Sequence, residues 1–583
     1  MNYLLVAVNA KYIHSNLAVY DLAAYGRKHC KEKEAEIAIA EYTINHRIDD
    51  ILKDIYLRKP DVVAFSCYIW NIEVIERLMV ELKKVLPDVR IWAGGPEVSY
   101  RGAEFLSTHP QVDVLFCGEG EILFTQMVDE WEDAVRSAKE LSLPRLLTCK
   151  EPMNLDEVPF VYEDVSAFEN KIIYYESSRG CPFSCSYCLS SIDKKLRFRS
   201  LSLVLPELKH FLDAKVKQVK FVDRTFNTKK DHALAIWRYL LAHDNGITNF
   251  HFEIAADLLC EEEIEVLSRM RPGLVQLEIG VQSTNAETVR EIHRTMDFQK
   301  VSDTVTRIKQ AKNVHQHLDL IAGLPYEDYQ TFAKSFCDVY ALQPDQLQLG
   351  FLKVLSGSYM SEHTKDYGTV YQSYPPYEVL STNWISYDEI LKLKTVEEAV
   401  EIYYNTHQFE STMKVLLTEF PDAFAMYEKL GAFYQAQSSE QSAKHSRITR
   451  YQILLKFISG METKISKNAY KELLILDLYL RENMKTRPAF APDQKEYAGA
   501  FRAFYKREEE ERKWLPGYES YPSRQLASMT HIEVFSTNLR LLIDRQVEEA
   551  CTYVLLFDYK NRSAVSDNAK IMEVPIDEEG TGK

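Results

Sequence analysis

Several things are scarce or missing in this 583-residue chain. No uninterrupted apolar run approaches the roughly 18–20 residues that a membrane-spanning helix needs, so no membrane span is expected. Glycine and proline number only 20 each, too few for a collagenous or low-complexity chain. Basic residues are outnumbered, 70 Lys and Arg against 86 Asp and Glu, for a net charge of −16. A surface that acidic disfavours generic binding to nucleic acid or to an anionic membrane, and no nucleic-acid partner is expected. No Gly-x-Gly-x-x-Gly follows the first strand-like run, which disfavours a dinucleotide fold. Residues 1–8 have neither a basic start nor a small-residue cleavage site. They read as a strand and not a signal peptide, so a cytoplasmic protein is expected. In that compartment the ten cysteines are thiols or metal ligands.

What is present is a folded composition, 46% hydrophobic and 27% charged, long enough for three or four domains. Two stretches alternate apolar strand-like runs with amphipathic helical ones. In residues 1–140 the strand-like runs are 3–8, 37–40, 62–66, 89–93 and 114–117. Five strands with crossovers predict a doubly wound, Rossmann-like α/β sheet whose ligand crevice lies at the strand C-terminal ends. Residues 141–171, with Pro144, Pro152 and Pro159, read as a linker. From 172 to 360, strands are predicted near 172–177, 218–223, 249–255, 274–281, 316–322 and 346–354. Six strand–helix units predict a partial (β/α) barrel with active groups at the strand C-terminal ends. Residues 361–583 carry long helical patterns and predict a mainly helical C-terminal domain, with a terminal strand pair at 531–535 and 553–558. The charge run 506–513 reads as a solvated helix face.

Cys181, Cys185 and Cys188 fall within eight residues. Scattered at random, ten cysteines would give that spacing in well under about 1% of such chains. The other seven stand singly and read as small buried hydrophobes. Three thiolates on one loop suit a metal. Structural zinc would want a fourth ligand, and neither a second Cys-x-x-Cys nor a nearby histidine pair supplies one. A cubane [4Fe–4S] cluster with three protein ligands would keep one iron open to a substrate or cofactor.

The C-x3-C-x2-C loop, behind the apolar run 172–175 and Ser177-Ser178-Arg179-Gly180, resembles the radical S-adenosylmethionine (SAM) superfamily. Glu176-x-x-Arg-Gly-Cys-Pro-Phe resembles the branch with a cobalamin-binding domain in front. In that superfamily the open iron binds SAM, and electron transfer splits it to methionine and a 5′-deoxyadenosyl radical. The resemblance implies a [4Fe–4S] cluster on Cys181, Cys185 and Cys188, with SAM and cobalamin as the other cofactors. By the same match Asp223, in the segment that holds the SAM amino group, and Glu253, Gln282 and Asp319, at successive strand ends, would bind SAM. Arg197 and Arg199 would meet the SAM carboxylate or a substrate anion, or be surface charge.

In the front domain the resemblance places cobalamin against Ser66, Gly94-Gly95-Pro96-Glu97 and Gly118-Glu119-Gly120. Glycine there lets a backbone approach a bulky ligand. The Asp-x-His-x-x-Gly signature of cobalt ligation is missing. His14 lies in the corresponding loop, as a candidate ligand without the orienting acid. The C-terminal part resembles the DUF4080 domain of some cobalamin radical SAM proteins.

These resemblances imply a radical SAM enzyme, most simply a methyltransferase acting on an unactivated carbon. Its partners would be a flavodoxin, ferredoxin or reductase as electron donor and a small-molecule or peptide substrate. A rearranging or cyclising enzyme with the same cofactors, and a cofactor-binding regulator without turnover, are the rival readings. An RNA methylthiolating enzyme would want an upstream three-cysteine domain and a basic module, which the chain does not display.

Overall fold

A computed structural model describes residues 1–31, 35–137, 144–437, 445–563 and 567–576. The chain divides into two compact units. The first comprises Met1–Tyr329 with Gly350–Tyr387, and the second Gln330–Leu349 with Asp388–Lys583.

The first unit opens with a parallel sheet of β1 (Asn2–Asn9), β2 (Glu36–Thr43), β3 (Val62–Ser66), β4 (Arg90–Gly94), β5 (Val114–Cys117) and β6 (Leu146–Thr148). The strand order is β2-β1-β3-β4-β5-β6, which reverses direction between β1 and β3. In doubly wound sheets the ligand crevice lies at such a switch point. Successive residues of β1 point to opposite cores: Leu4, Val6 and Val8 to one, Tyr3, Leu5 and Ala7 to the other. Both faces are therefore covered, as a parallel sheet requires. Helices α1 (Leu17–His29), α2 (Ile48–Arg58), α3 (Ile72–Val85), α4 (Pro96–Ser99), α5 (Gly102–Thr108) and α6 (Glu121–Ser137) provide the cover. Strand β6 lies within the stretch read from sequence as a linker. Its three residues are an edge strand with no buried position, so no alternation marked them.

The second sheet starts at β7 (Ile173–Tyr175). A small antiparallel pair follows, β8 (Ser178–Arg179) with β9 (Arg197–Phe198), and the cysteine loop lies between its strands. The sheet resumes with β10 (Gln218–Phe221), β11 (Asn249–Ile254), β12 (Val275–Gln282), β13 (His315–Ala322) and β14 (Gln346–Phe351). These strands lie side by side in sequence order from β7 to β14, as in a barrel wound in one direction. At the far edge the Leu352 N–H donates to Ala322 O at 2.9 Å. On β12, Val275, Leu277, Ile279 and Val281 are buried under the helices. The alternate residues Gln276, Glu278, Gly280 and Gln282 face the barrel interior. A short antiparallel pair, β15 (Val370–Tyr371) and β16 (Val379–Ser381), completes this unit.

The second unit is mainly helical, with helices Glu410–Leu416, Ala423–Gln437, Arg447–Ser459 and Lys467–Arg481. An antiparallel sheet of β17 (Thr530–Thr537), β18 (Ala550–Arg562) and β19 (Ala569–Glu573) follows. Buried Asp477 accepts the N–H groups of Ser411 and Thr412 at 3.0 and 2.9 Å, satisfying the start of a helix. The charge run at 506–513 is not wholly solvated. Glu508 is buried and accepts the N–H groups of Trp514 and Leu515, because the chain turns back over it. No helix among the described residues is long and apolar enough to cross a membrane.

Candidate functional site

A cavity of about 1250 Å3 lies between the C-terminal ends of the front strands and the mouth of the barrel. An ordinary small-molecule pocket measures roughly 300–1,000 Å3, so this one suits a bulky ligand. Its front wall includes Ser66 and four glycines, Gly94, Gly95, Gly118 and Gly120. Gly95 has a φ of 114°, and a Cβ there would stand 2.4 Å from Cys67 O. Gly118 has a φ of 87°, and its Cβ would approach Cys149 Cβ to 3.1 Å. These turns tolerate glycine alone and bring bare backbone to the cavity, which fits a large macrocycle with a nucleotide tail. Behind them, the Ser66 hydroxyl accepts from Asn16 Nδ2 at 3.2 Å.

The cysteine loop leaves β8 through Gly180, whose φ is 95° and whose Cβ would stand 2.6 Å from Lys195 O. The Cys181 N–H donates to Asp193 O at 2.9 Å, and the Ser186 N–H to Ile292 O at 2.9 Å. Cys181 and Cys185 are buried and Cys188 is half-buried. Burial pushes the Cys181 thiol up, and the neighbouring Cys188 and Cys185 add to the shift. Arg294 Nη1 lies 3.7 Å from Cys185 Sγ, a cation beside the thiol. Among the described residues, no three His, Cys, Asp or Glu side chains close on a single metal position. A cubane takes one thiolate per iron, and the donor set here is three free thiols on one short loop.

A charged network fills the barrel interior. Lys220 on β10 places its Nζ 3.1 Å from Glu278 Oε2 and 3.9 Å from Glu253 Oε1. His251 Nε2 meets Glu278 Oε2 at 2.8 Å. His317 Nε2 lies 3.0 Å from Asp319 Oδ1. Burial pushes Glu253 up to about 7, with Glu278 and Asp319 adding and Arg224 and Lys220 opposing. Burial works against ionised Glu278 too, but the His251 bond and the Lys220 charge hold it down at about 2. Glu253, Lys220 and Arg224 all line the cavity.

The residues singled out from sequence separate into two groups. His14, Ser66, Gly94, Gly95, Gly118, Glu119, Gly120 and Glu253 line the cavity, as do Asp193, Lys194 and Lys195 from the far side of the cysteine loop. His14 Nδ1 is bonded to Tyr174 OH at 2.7 Å, and burial holds its ring below the usual range. Glu119 is engaged on both oxygens, by the Met153 N–H and by the Arg197 guanidinium. The structure does not bring Asp223, Gln282, Asp319, Glu97 or the three cysteines Cys181, Cys185 and Cys188 to the cavity wall. Asp223 is fully buried and accepts the Ser177 N–H at 2.8 Å and the Ser177 and Ser178 hydroxyls. Burial raises it to about 7 against those bonds. Gln282 has a φ of 72° at a register shift in β12. Its Oε1 is buried without a partner, an acceptor aimed at nothing in the protein. Glu97 instead takes the Tyr377 hydroxyl. Arg199 is buried and forked onto Glu207, which leaves it no role toward an anion.

Sequence reasoning missed Lys220, Arg224, Tyr68 and Trp70. The two aromatic rings stack on the cavity wall 4.4 Å apart and 8° from parallel, and Trp70 Nε1 donates to Val8 O at 3.1 Å. Arg179 stood out in sequence only as part of the motif; it is 18% exposed and meets Glu176 at 2.7 Å, Glu121 at 2.8 Å and Glu119 at 3.6 Å. A lone lysine at an inward position of the apolar strand β10 was the available signal for Lys220.

Comparison with known proteins gives three family matches: the B12 binding domain over residues 3–128, the Radical SAM superfamily over 175–336, and the protein of unknown function DUF4080 over 365–557. A curated relative, the cobalamin-dependent radical SAM methyltransferase TokK of Streptomyces tokunonensis, is 27% identical over 307 residues, 47% of this chain and 44% of its own length. This chain therefore spans under half the length of that relative. Among solved structures, the radical SAM methyltransferase TsrM from Kitasatospora setae superposes with a TM-score of 0.50 at 15% identity, covering 64% of this chain and 77% of TsrM. The cobalamin-dependent SAM radical enzyme OxsB gives 0.54 at 14% identity, covering 81% and 78%. At such identities the two structures share the fold. The chain thus carries a B12 binding domain, a Radical SAM domain and a DUF4080 domain in that order, and cobalamin and SAM are its cofactors.

Proposed function

We propose that this protein is a cobalamin-dependent radical SAM enzyme that transfers a methyl group to an unactivated carbon of a small molecule or peptide. Cys181, Cys185 and Cys188 would hold a [4Fe–4S] cluster. One observation carries this reading: a single cavity is lined at once by the front glycine turns, by the segment that closes the cysteine loop and by the charged barrel mouth. When bound, the cluster supplies the electron that breaks the sulfonium C–S bond, and cobalamin supplies the carrier for the methyl group.

The chain's own residues position and exclude. Ser66 and the turns at Gly94-Gly95 and Gly118-Gly120 receive cobalamin, Tyr68 and Trp70 offer it a flat face, and His14 stands beside it. The buried Gln282 Oε1 offers an acceptor to SAM, with Glu253 and Asp319 near it along the barrel. Asp223 acts at one remove, by fixing Ser177 and Ser178 just ahead of the cysteine loop. Glu253 holds or releases a proton near neutral pH, and Arg224 offers a cation to a substrate anion at the cavity wall. A flavodoxin, ferredoxin or dedicated reductase in the cytoplasm would deliver the electron.

The test is anaerobic reconstitution of the full chain, with counts of iron, sulfide and cobalt and assay of 5′-deoxyadenosine and S-adenosylhomocysteine. Methyl transfer requires both nucleoside products. Deoxyadenosine without S-adenosylhomocysteine, whatever substrate is offered, would favour a rearranging or cyclising enzyme. Cobalamin retention without any SAM cleavage would favour a regulator.

A further inference from the structure

The DUF4080 match begins at residue 365, yet Gly350–Tyr387 belongs to the first unit. The stretch 352–387 therefore shares a compact body with both cofactor domains, and its contacts are unusually distributed. It is tied to its own barrel by the Tyr367 hydroxyl, which donates to Glu291 Oε1 at 2.8 Å. It closes on itself through the Val379 N–H to Leu352 O at 2.8 Å and the Val354 N–H to Tyr377 O at 3.0 Å. From this base it reaches in two directions.

One reach goes to the cysteine loop. The Met360 N–H donates to Ser186 O at 2.9 Å, at the residue that follows Cys185. The other goes to the front domain, at the turn that follows β4. The Tyr377 hydroxyl donates to Glu97, whose carboxylate is 9% exposed and has Arg101 Nη2 3.6 Å away. Gly357 presses on Tyr100: its φ is 89°, and a Cβ there would stand 2.4 Å from Tyr100 Cγ. Gly94, Gly95 and Tyr100 line the cavity, so the far side of that wall rests on this stretch. Glu97 thus faces away from the ligand and toward a strap.

We propose that residues 352–387 form a clasp that fixes the cavity-lining turn 94–100 of the front domain against the cysteine loop. Tyr377 is its positioning residue, acting through Glu97. A stretch at the start of a domain of unknown function thereby acquires a task, which is setting the spacing between two cofactor sites. The inference rests on the reading of those two loops as cofactor sites.

The experiment compares hydrogen exchange, peptide by peptide, in the full-length wild type, Tyr377→Phe and Glu97→Gln, each with and without hydroxocobalamin. Tyr377→Phe keeps the ring and removes only the donor. Loss of one buried hydrogen bond is worth about a five- to tenfold change in local opening. Exchange is expected to accelerate by that factor in peptides covering 94–101 and 184–190, with faster release of hydroxocobalamin, while 249–254 and 275–282 stay unchanged. Glu97→Gln keeps an acceptor for the hydroxyl and is expected to stay within about twofold of wild type. Acceleration confined to 366–383, or none, would overturn the clasp. Should Tyr377→Phe fail to fold, Arg101→Gln perturbs the same carboxylate from the surface and is read in the same way. If the wild type binds no hydroxocobalamin, the cofactor reading of the front domain fails. The exchange comparison in the cofactor-free chain still decides whether the clasp couples the two loops.

Discussion

On the front side of the cavity the glycines Gly94, Gly95, Gly118 and Gly120 bring peptide groups to the wall beside the stacked rings of Tyr68 and Trp70, with Glu119 already engaged by Arg197. On the barrel side the wall is charge: Lys220, Arg224 and Glu253 stand at the mouth, with Glu278, His251, His317 and Asp319 behind them. The first kind of wall selects by shape and tolerates a large ligand whose charges lie elsewhere. The second selects by charge and holds small polar groups in fixed orientations. A cavity so divided sorts two different ligands to its two sides.

Three perturbations would break or sharpen that contrast. The largest effect is expected from replacing Cys181, Cys185 and Cys188 together with serine. Iron, sulfide and all 5′-deoxyadenosine production should vanish, while cobalamin binding, which depends on the front wall, should persist in an absorbance titration. Loss of both together would mean that the two sides are not separable. Next is Gly95→Ala. It forces a Cβ to within 2.4 Å of Cys67 O at a left-handed φ. It should cost about 3 kcal/mol of stability and weaken cobalamin binding, leaving the iron content unchanged. Thermal unfolding and metal analysis check it.

The smallest effect concerns pH. Asp223 and Glu253 both sit at about 7, above the usual carboxylate range, because burial favours their neutral forms. The folded protein therefore holds extra protons between roughly pH 4 and 7, and stability from these groups is greatest at the acid end and falls as pH rises through 7. Glu278, held at about 2, contributes in the opposite sense, and its contribution is lost only as pH falls below about 4. Glu253→Gln should flatten the slope of melting temperature between pH 5 and 8 by a few degrees. An unchanged slope would mean that Glu253 is solvated and ionised throughout.

The barrel strands were legible in sequence because each is a short apolar run bounded by polar turns. A helix such as Lys230–His243 is legible in the same way, since its apolar residues recur at helical spacing. The cysteine spacing stood out because it needs no tertiary context. Short α4 and α5 escaped, having too few residues for a period to show. Side-chain direction escaped as well. The residue types at the ends of β10 and β4 were visible, but that Asp223 turns to two serines and Glu97 to Tyr377 depends on segments far away in sequence. Charged interior positions such as Lys220 break the apolar pattern of a strand, and without the closed barrel they look like solvent-facing residues.

Arg179 has a consequence for how the two walls hold together. Its guanidinium sits among Glu176, Glu121 and Glu119, joining the hairpin that begins the cysteine loop to the turn that ends β5. Swinging the two domains apart would break the Arg179 contacts to Glu121 and Glu119 and leave only its pair with Glu176. One side chain thus ties the start of the cysteine loop to the front sheet, so that a change at Arg179 would loosen both walls of the cavity together.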